Sequence, residues 1–357
     1  MLRHRLFAFG SLVVVGSLAL AVATAGPGAV PAPKPKAAVA SGRLVINAKY
    51  DRSITADPKG AAIRATIGAA LGRYQSAFSV PVTVNITFVK GPVGLGGSST
   101  FGVFVRYTDY LKALNNAKVN NPSLARALAT LPKTTTNPVN NNASVRLSTA
   151  NARALGFAAS PPAGQPDSTI TLNTDIMNIT RTSIDPGKYD LLAVVSHEID
   201  EALGFGSALN NLKNGDPAPT GPVQPDDLYR YSQAGARSFN TALSTQAFYS
   251  IDGGRTKLAR FNQQQGGDFS DWFSPGNVPH TPQVQDAFST PGAIPNLGVE
   301  LTRLAVLGYT PAGGSATRGP RVGAAARLAG TGRLKSRPAG SLKCVVRVKP
   351  KAGGRGR

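Results

Sequence analysis

The chain has 357 residues, 41% of them apolar, enough for one large domain or two small ones with a real core. Its formal net charge is +21, but twelve of the 39 Lys and Arg follow Ala312 and four precede Gly42, so residues 42–312 hold all 18 acidic residues and carry only +5. That near balance argues against a basic groove for nucleic acid. The single cysteine, Cys344, excludes an intrachain disulfide and a cysteine-based zinc cluster.

Residues 1–25 open with Arg3, His4 and Arg5, continue through "LFAFGSLVVVGSLALAVATA" and end at Ala25. A charged start, an apolar centre and a small-residue end read as a secretory signal peptide, which makes the protein secreted and leaves no membrane insertion after cleavage. A Pro- and Ala-rich linker occupies 26–41. The domain spans 42–311. Within it, 43–51 alternates as a strand does, 58–78 places Ile63, Ile67, Ala70, Leu71 and Tyr74 at helical spacing, and 80–89 is a β-branched strand. The glycine-rich stretch 91–99 lacks the Lys-Ser/Thr of a phosphate-binding loop and reads as plain loop. Short helices are expected at 108–117, 122–131 and 147–157, the last capped by Ser148 or Thr149, and a strand at 168–174. The central helix is expected over 185–206, with Pro186 near its start and Gly204 near its end. After it come "PDDLYRYS" (225–232), a hairpin over 247–262 turning at Gly253-Gly254, and a closing helix over 298–309. The fold class is α/β in the α+β sense, with one mixed domain. The tail 312–357 has no acidic residue and no aromatic ring, which predicts disorder. Only "SLKCVVRVK" (341–349) alternates like a strand. The tail's charge suits contact with a polyanionic cell envelope.

The chemistry concentrates in "VVSHEIDEALGFGS" (194–207). Leu192, Val195, Ile199 and Ala202 form an apolar stripe, while His197 and Glu201 stand one turn apart on another face and can grip one ion. Glu198 is offset by about 100° and is the candidate general base. Only three histidines exist, and His4 falls in the signal peptide, so a metal site has two at most. Glutamate is an acceptable zinc ligand, though each carboxylate lowers the positive charge at the metal, and a harder ion such as calcium or manganese then competes. The blander reading of His197 and Glu201 is a polar helix face.

This stretch resembles the active-site helix of metzincin zinc peptidases, which reads His-Glu-x-x-His-x-x-Gly-x-x-His. His197, Glu198 and Gly204 match it, while Glu201 and Ser207 stand where the second and third histidines would be. The chain also resembles a group of secreted bacterial zincin-like metalloproteases carrying "HEIDE" in this helix, a likeness that extends to 58–78, 80–89, "DLYRYS" (227–232), "YSIDGG" (249–254), "GDFSDW" (267–272), "PQVQDAF" (282–288) and "LAVLGY" (304–309). The resemblance implies a zincin-like fold with a mixed twisted sheet. It also implies a metal-dependent, zinc-first peptidase acting on protein or peptide substrates through a metal-bound water, with Glu198 catalytic. The alternative is an inactive zincin-like binding module. A third metal ligand must come from elsewhere. Asp227 is the first candidate, close after the helix, with a turn or N-cap role after Pro225 as its structural alternative. Asp268, Asp271 and His280 are the others. Trp272, the only tryptophan, reads as core.

Overall fold

The computed structural model describes residues 42–212, 216–274, 280–313 and 342–346. The signal peptide (1–25) and linker (26–41) lie outside the described residues, as does most of the basic tail. No helix among the described residues is long and apolar enough to cross a membrane.

In chain order the elements are β1 (Val45–Tyr50), α1 (Arg52–Thr55), α2 (Gly60–Ala77), β2 (Thr83–Lys90), β3 (Gly96–Thr100), β4 (Gly102–Arg106), α3 (Tyr107–Ala117), α4 (Pro122–Leu128), β5 (Ser144–Ser148), α5 (Thr149–Ala154) and β6 (Ser168–Leu172). They continue with β7 (Met177–Asn178), β8 (Tyr189–Asp190), α6 (Leu191–Leu203), β9 (Arg230–Gln233), β10 (Ala236–Arg237), β11 (Phe248–Tyr249), β12 (Ala259–Arg260), α7 (Val299–Val306) and β13 (Leu342–Val346). The result is a mixed α/β architecture with several sheets.

The main sheet runs β1-β2-β6-β3-β13. β1, β2 and β6 are parallel, while β3 runs antiparallel to β6 and β13 antiparallel to β3. Alternation explains its buried face. Val84, Ile86 and Phe88 of β2 and Ile170 and Leu172 of β6 point to one side, where α2 and α6 cover them. On α2 the residues at helical spacing, Ile63, Ile67, Ala70, Leu71 and Tyr74, are all buried, as is Gly60 at its start. α6 packs against β3, β6 and α2. A second apolar cluster joins Tyr107, Tyr110 and Leu114 of α3, Tyr229, Tyr249, Phe261, the fully buried Trp272, and Val299 and Val306 of α7.

Four sequence expectations need correction. The stretch read as plain loop at 91–99 contains the start of β3, because β6 offers a complete antiparallel ladder from Ser168 to Leu172. The helix expected over 147–157 begins as strand: β5 pairs with β4 through Ser148, whose side chain then accepts from the Asn151 N–H and caps α5. α6 begins at Leu191 rather than near Pro186, because Asp190 caps it by accepting from the Ala193 N–H. Within the tail expected to be disordered, Leu342–Val346 forms β13 and pairs with β3 along its length. Gly204 does end α6, at φ +133°, and Gly253 and Gly254 turn the β11–β12 pair at φ +75° and +84°.

Candidate metal centre

All thirteen residues of α6 are buried, the polar ones included. Its apolar residues Leu191, Leu192, Val194, Val195, Ile199, Ala202 and Leu203 belong to the core under the sheet. His197 and Glu201, one turn apart, meet Asp271, which a distant segment delivers. The His197 Nε2 atom lies 3.6 Å from Glu201 Oε1 and 3.7 Å from Asp271 Oδ2, and one donor atom from each residue falls within 4.8 Å of the others. Donors bound tetrahedrally to one ion at about 2.0–2.1 Å stand roughly 3.3 Å apart, so only small adjustments separate these three from a ligand set.

Each donor is held by a second group. The His197 Nδ1 faces the Val284 carbonyl at 3.1 Å; donating there aims Nε2 at the carboxylates, where a bound ion would take the place of its proton. The Ser98 hydroxyl of β3 donates to Glu201 Oε2 at 2.8 Å, leaving Oε1 for another partner. The Gln285 amide donates to Asp271 Oδ1 at 3.1 Å. Asp271 ends a turn, its N–H donating to the Asp268 carbonyl at 3.3 Å, directly before Trp272, which bridges Phe261 and Asp286. The Asn262 N–H donates to the Asp271 carbonyl at 2.7 Å, the Trp272 N–H donates to the Gln285 carbonyl at 2.7 Å, and the Trp272 indole N–H donates to Glu300 Oε1 at 2.9 Å. These bonds anchor the turn and Trp272, and so hold Asp271 beside His197.

Six buried polar atoms within two turns of α6 have no hydrogen-bond partner: His197 Nε2, Glu201 Oε1, both oxygens of Glu198 and both of Asp200. An orphaned buried polar atom costs about 1–3 kcal/mol, and charged ones more. Electrostatics points the same way. Burial disfavours a charged His197, yet the Asp271 charge and the Glu201 carboxylate outweigh it and push its pKa up to about 10. Burial, aided by the Glu201 charge, raises Asp271 to about 6 against the opposing pull of His197 and the Gln285 amide. Burial raises Glu198 as well, reinforced by Glu201, Asp271 and Asp268. A position flanked by these carboxylates selects positive charge, and a divalent cation there would satisfy His197 Nε2 and Glu201 Oε1 together. The residues fit a metal ion.

Glu198 lies under β3. A Cβ built on Gly96 would stand 2.6 Å from Glu198 Oε1 and 2.9 Å from Val194 Cγ1, so the close approach of β3 to α6 requires glycine there.

Asp227 is not in this group, contrary to its ranking as first candidate. Its carboxylate is fully employed elsewhere: it accepts from the Ser207 hydroxyl, from the Ala208 N–H at 3.0 Å and from the Gln224 N–H at 2.9 Å. It closes a reciprocal capping box on the 3₁₀ turn Pro225–Tyr229. Burial pushes it up to about 6, opposed by those three donors. Ser207, at the position of the third metzincin histidine, is thus bonded to the residue proposed to replace it. His280 contacts Asp286 at 3.0 Å and is also outside the group. Asp271 was among the alternatives, with no local pattern that set it above Asp268. Ser98 and Gly96 were missed inside the supposed loop.

Compared with protein-family models, with curated proteins and with solved structures, the chain matches none.

Proposed function

We propose that the protein is a metal-dependent hydrolase of peptide bonds with a zincin-like fold, in which His197, Glu201 and Asp271 hold a divalent cation, zinc first, and Glu198 is the general base. The observation that carries this reading is the convergence of three donors from α6 and the Asp271 segment beside a carboxylate with two orphaned oxygens. When bound, the cation supplies Lewis-acid polarisation of a carbonyl and makes water easier to deprotonate. The chain does the rest. Val284, Ser98 and Gln285 orient the three donors, and Glu198 receives a proton and later returns it to the leaving amine. The raised pKa of Glu198 suits a group that must hold a proton between two steps.

A second reading, the same fold kept as a binding module without catalysis, is favoured by closure of the site: His197 is 1% exposed, Glu198 0%, Glu201 3% and Asp271 2%. Elemental analysis of the purified protein separates the two readings. The hydrolase reading expects about one zinc, manganese or calcium ion per chain, lost in Glu201→Ala, and metal-dependent cleavage of an unstructured protein such as casein. Absence of near-stoichiometric metal in the wild type rejects it.

A further inference from the structure

Two further buried carboxylates stand apart from the metal group. Asp190, just before α6, is 4% exposed, and Asp286, on the strap that follows Trp272, is 1% exposed. Each has one oxygen heavily used and one bare. Asp190 Oδ2 accepts from the Arg181 guanidinium, at 3.1 Å from Nε, and from the Ala193 N–H at 3.2 Å. Asp286 Oδ2 contacts His280 Nε2 at 3.0 Å and accepts from the Gln283 N–H at 3.1 Å. Asp190 Oδ1 and Asp286 Oδ1 are buried without a hydrogen-bond partner. Both residues line one cavity of about 10 Å³, room for one water-sized occupant, with Ala193, Gln283, Ser289 and Thr290 around it.

The lining has a definite chemistry. Among the described residues that form it, none is a histidine or a cysteine; the side chains offer carboxylate, amide and hydroxyl oxygen. Oxygen-only surroundings favour a hard cation over zinc. Calcium takes about six to eight oxygens in flexible geometry and mixes carboxylates with carbonyls and water, whereas magnesium demands a near-ideal octahedron. The charges agree. Arg181 pairs with Asp190, and Arg73 stands near it without an ion pair. Asp286 is less well answered: burial raises its pKa, reinforced by the Glu300 charge and opposed by His280 and the Gln283 N–H. A cation in the cavity engages both bare oxygens.

We infer that Asp190 and Asp286 hold a calcium ion in this cavity, a second cation site distinct from the His197 group. The ion fastens the strap 282–290 to the start of α6. That strap also carries Val284, whose carbonyl receives His197 Nδ1, and Gln285, whose amide holds Asp271. The calcium site therefore braces the segment that orients two of the three donors. The bracing of a metal centre rests on the hydrolase reading; the binding of calcium does not.

The test uses the full-length protein. Equilibrium dialysis against radioactive calcium, with magnesium in excess, reports this site, and elemental analysis for zinc reports the His197 group. Wild type is expected to bind about one calcium ion per chain here. Asp286→Asn removes a ligand charge, and Ala293→Leu fills the cavity while leaving both carboxylates in place, since Ala293 also lines it. Each is expected to weaken calcium by about tenfold or more, and Glu201→Ala to leave it unchanged. A wild type without saturable calcium binding overturns the proposal, as does calcium binding that survives in either folded cavity variant or is lost in Glu201→Ala. Calcium bound here in a protein whose His197 group takes no metal rejects the hydrolase reading alone. Metal lost in Glu201→Ala, without calcium at Asp286, rejects this inference alone.

Discussion

Glu198 and Glu201 are three positions apart on one helix, yet their surroundings assign them different work. Glu201 has one oxygen tied to Ser98 and one turned to His197, while Glu198 has neither oxygen engaged. Glu198→Gln should therefore leave metal content unchanged and lower peptide hydrolysis by about 10²–10⁴-fold, the range for a lost general base. Parallel metal analysis and turnover measurements check this, and loss of metal in the variant would make Glu198 a ligand instead. Asp271 and Asp227 form a second contrast. Asp271→Ala should lose bound metal, because it removes a donor 3.7 Å from His197 Nε2. Asp227→Asn should keep the metal and lose about 1–3 kcal/mol of stability, because an amide cannot accept all the bonds that Ser207, Ala208 and Gln224 donate. Metal content and denaturant midpoints of the two variants, measured side by side, decide which aspartate belongs to the centre.

At the scale of elements, α6 positions two of the three donors, so its ends matter. Asp190 caps the first turn through the Ala193 N–H and is also held by the Arg181 guanidinium, at 3.1 Å from Nε. Asp190→Ala should cost about 0.5–2 kcal/mol, measurable by chemical unfolding; no change would mean that β8 alone fixes the helix start. The helix shows what pattern reading reaches. His197 and Glu201 at i and i+4 and the stop at Gly204 are local facts and were visible in the chain. The true start was hidden because Pro186 offered a plausible first position, whereas the actual cap depends on the turn that β8 makes before it. β3 was hidden for a different reason. A Gly- and Ser-rich stretch has low intrinsic strand preference, and it becomes a strand only because β6 presents a ladder and because Gly96 lets α6 come close. Asp271 was visible only as one of several acids; its position depends on Trp272, Gln285 and Glu300, which no local spacing connects.

At the scale of the molecule, the centre lies at the seam between the two apolar clusters. His197 and Glu201 come from the helix that packs beneath the main sheet, while Asp271 adjoins Trp272, in the cluster that α3 and α7 share. A cation bound there would tie the two together, so its binding free energy should appear as stability. At a metal concentration one hundred times the Kd, about 2.7 kcal/mol is expected, or roughly 5–10 °C in Tm. Thermal scans with and without chelator check it, and coincident curves for a protein that retains its metal would place the ion outside this seam. The pairing of β13 with β3 also has a consequence in time. Thr100 is synthesised long before Leu342, and at about 5–20 residues per second the interval is roughly ten to fifty seconds. Throughout it, β3 has no outer neighbour from its own chain. β13, the last of the described strands to emerge, covers that edge, so any chain halted before it keeps an open edge from which two copies can join.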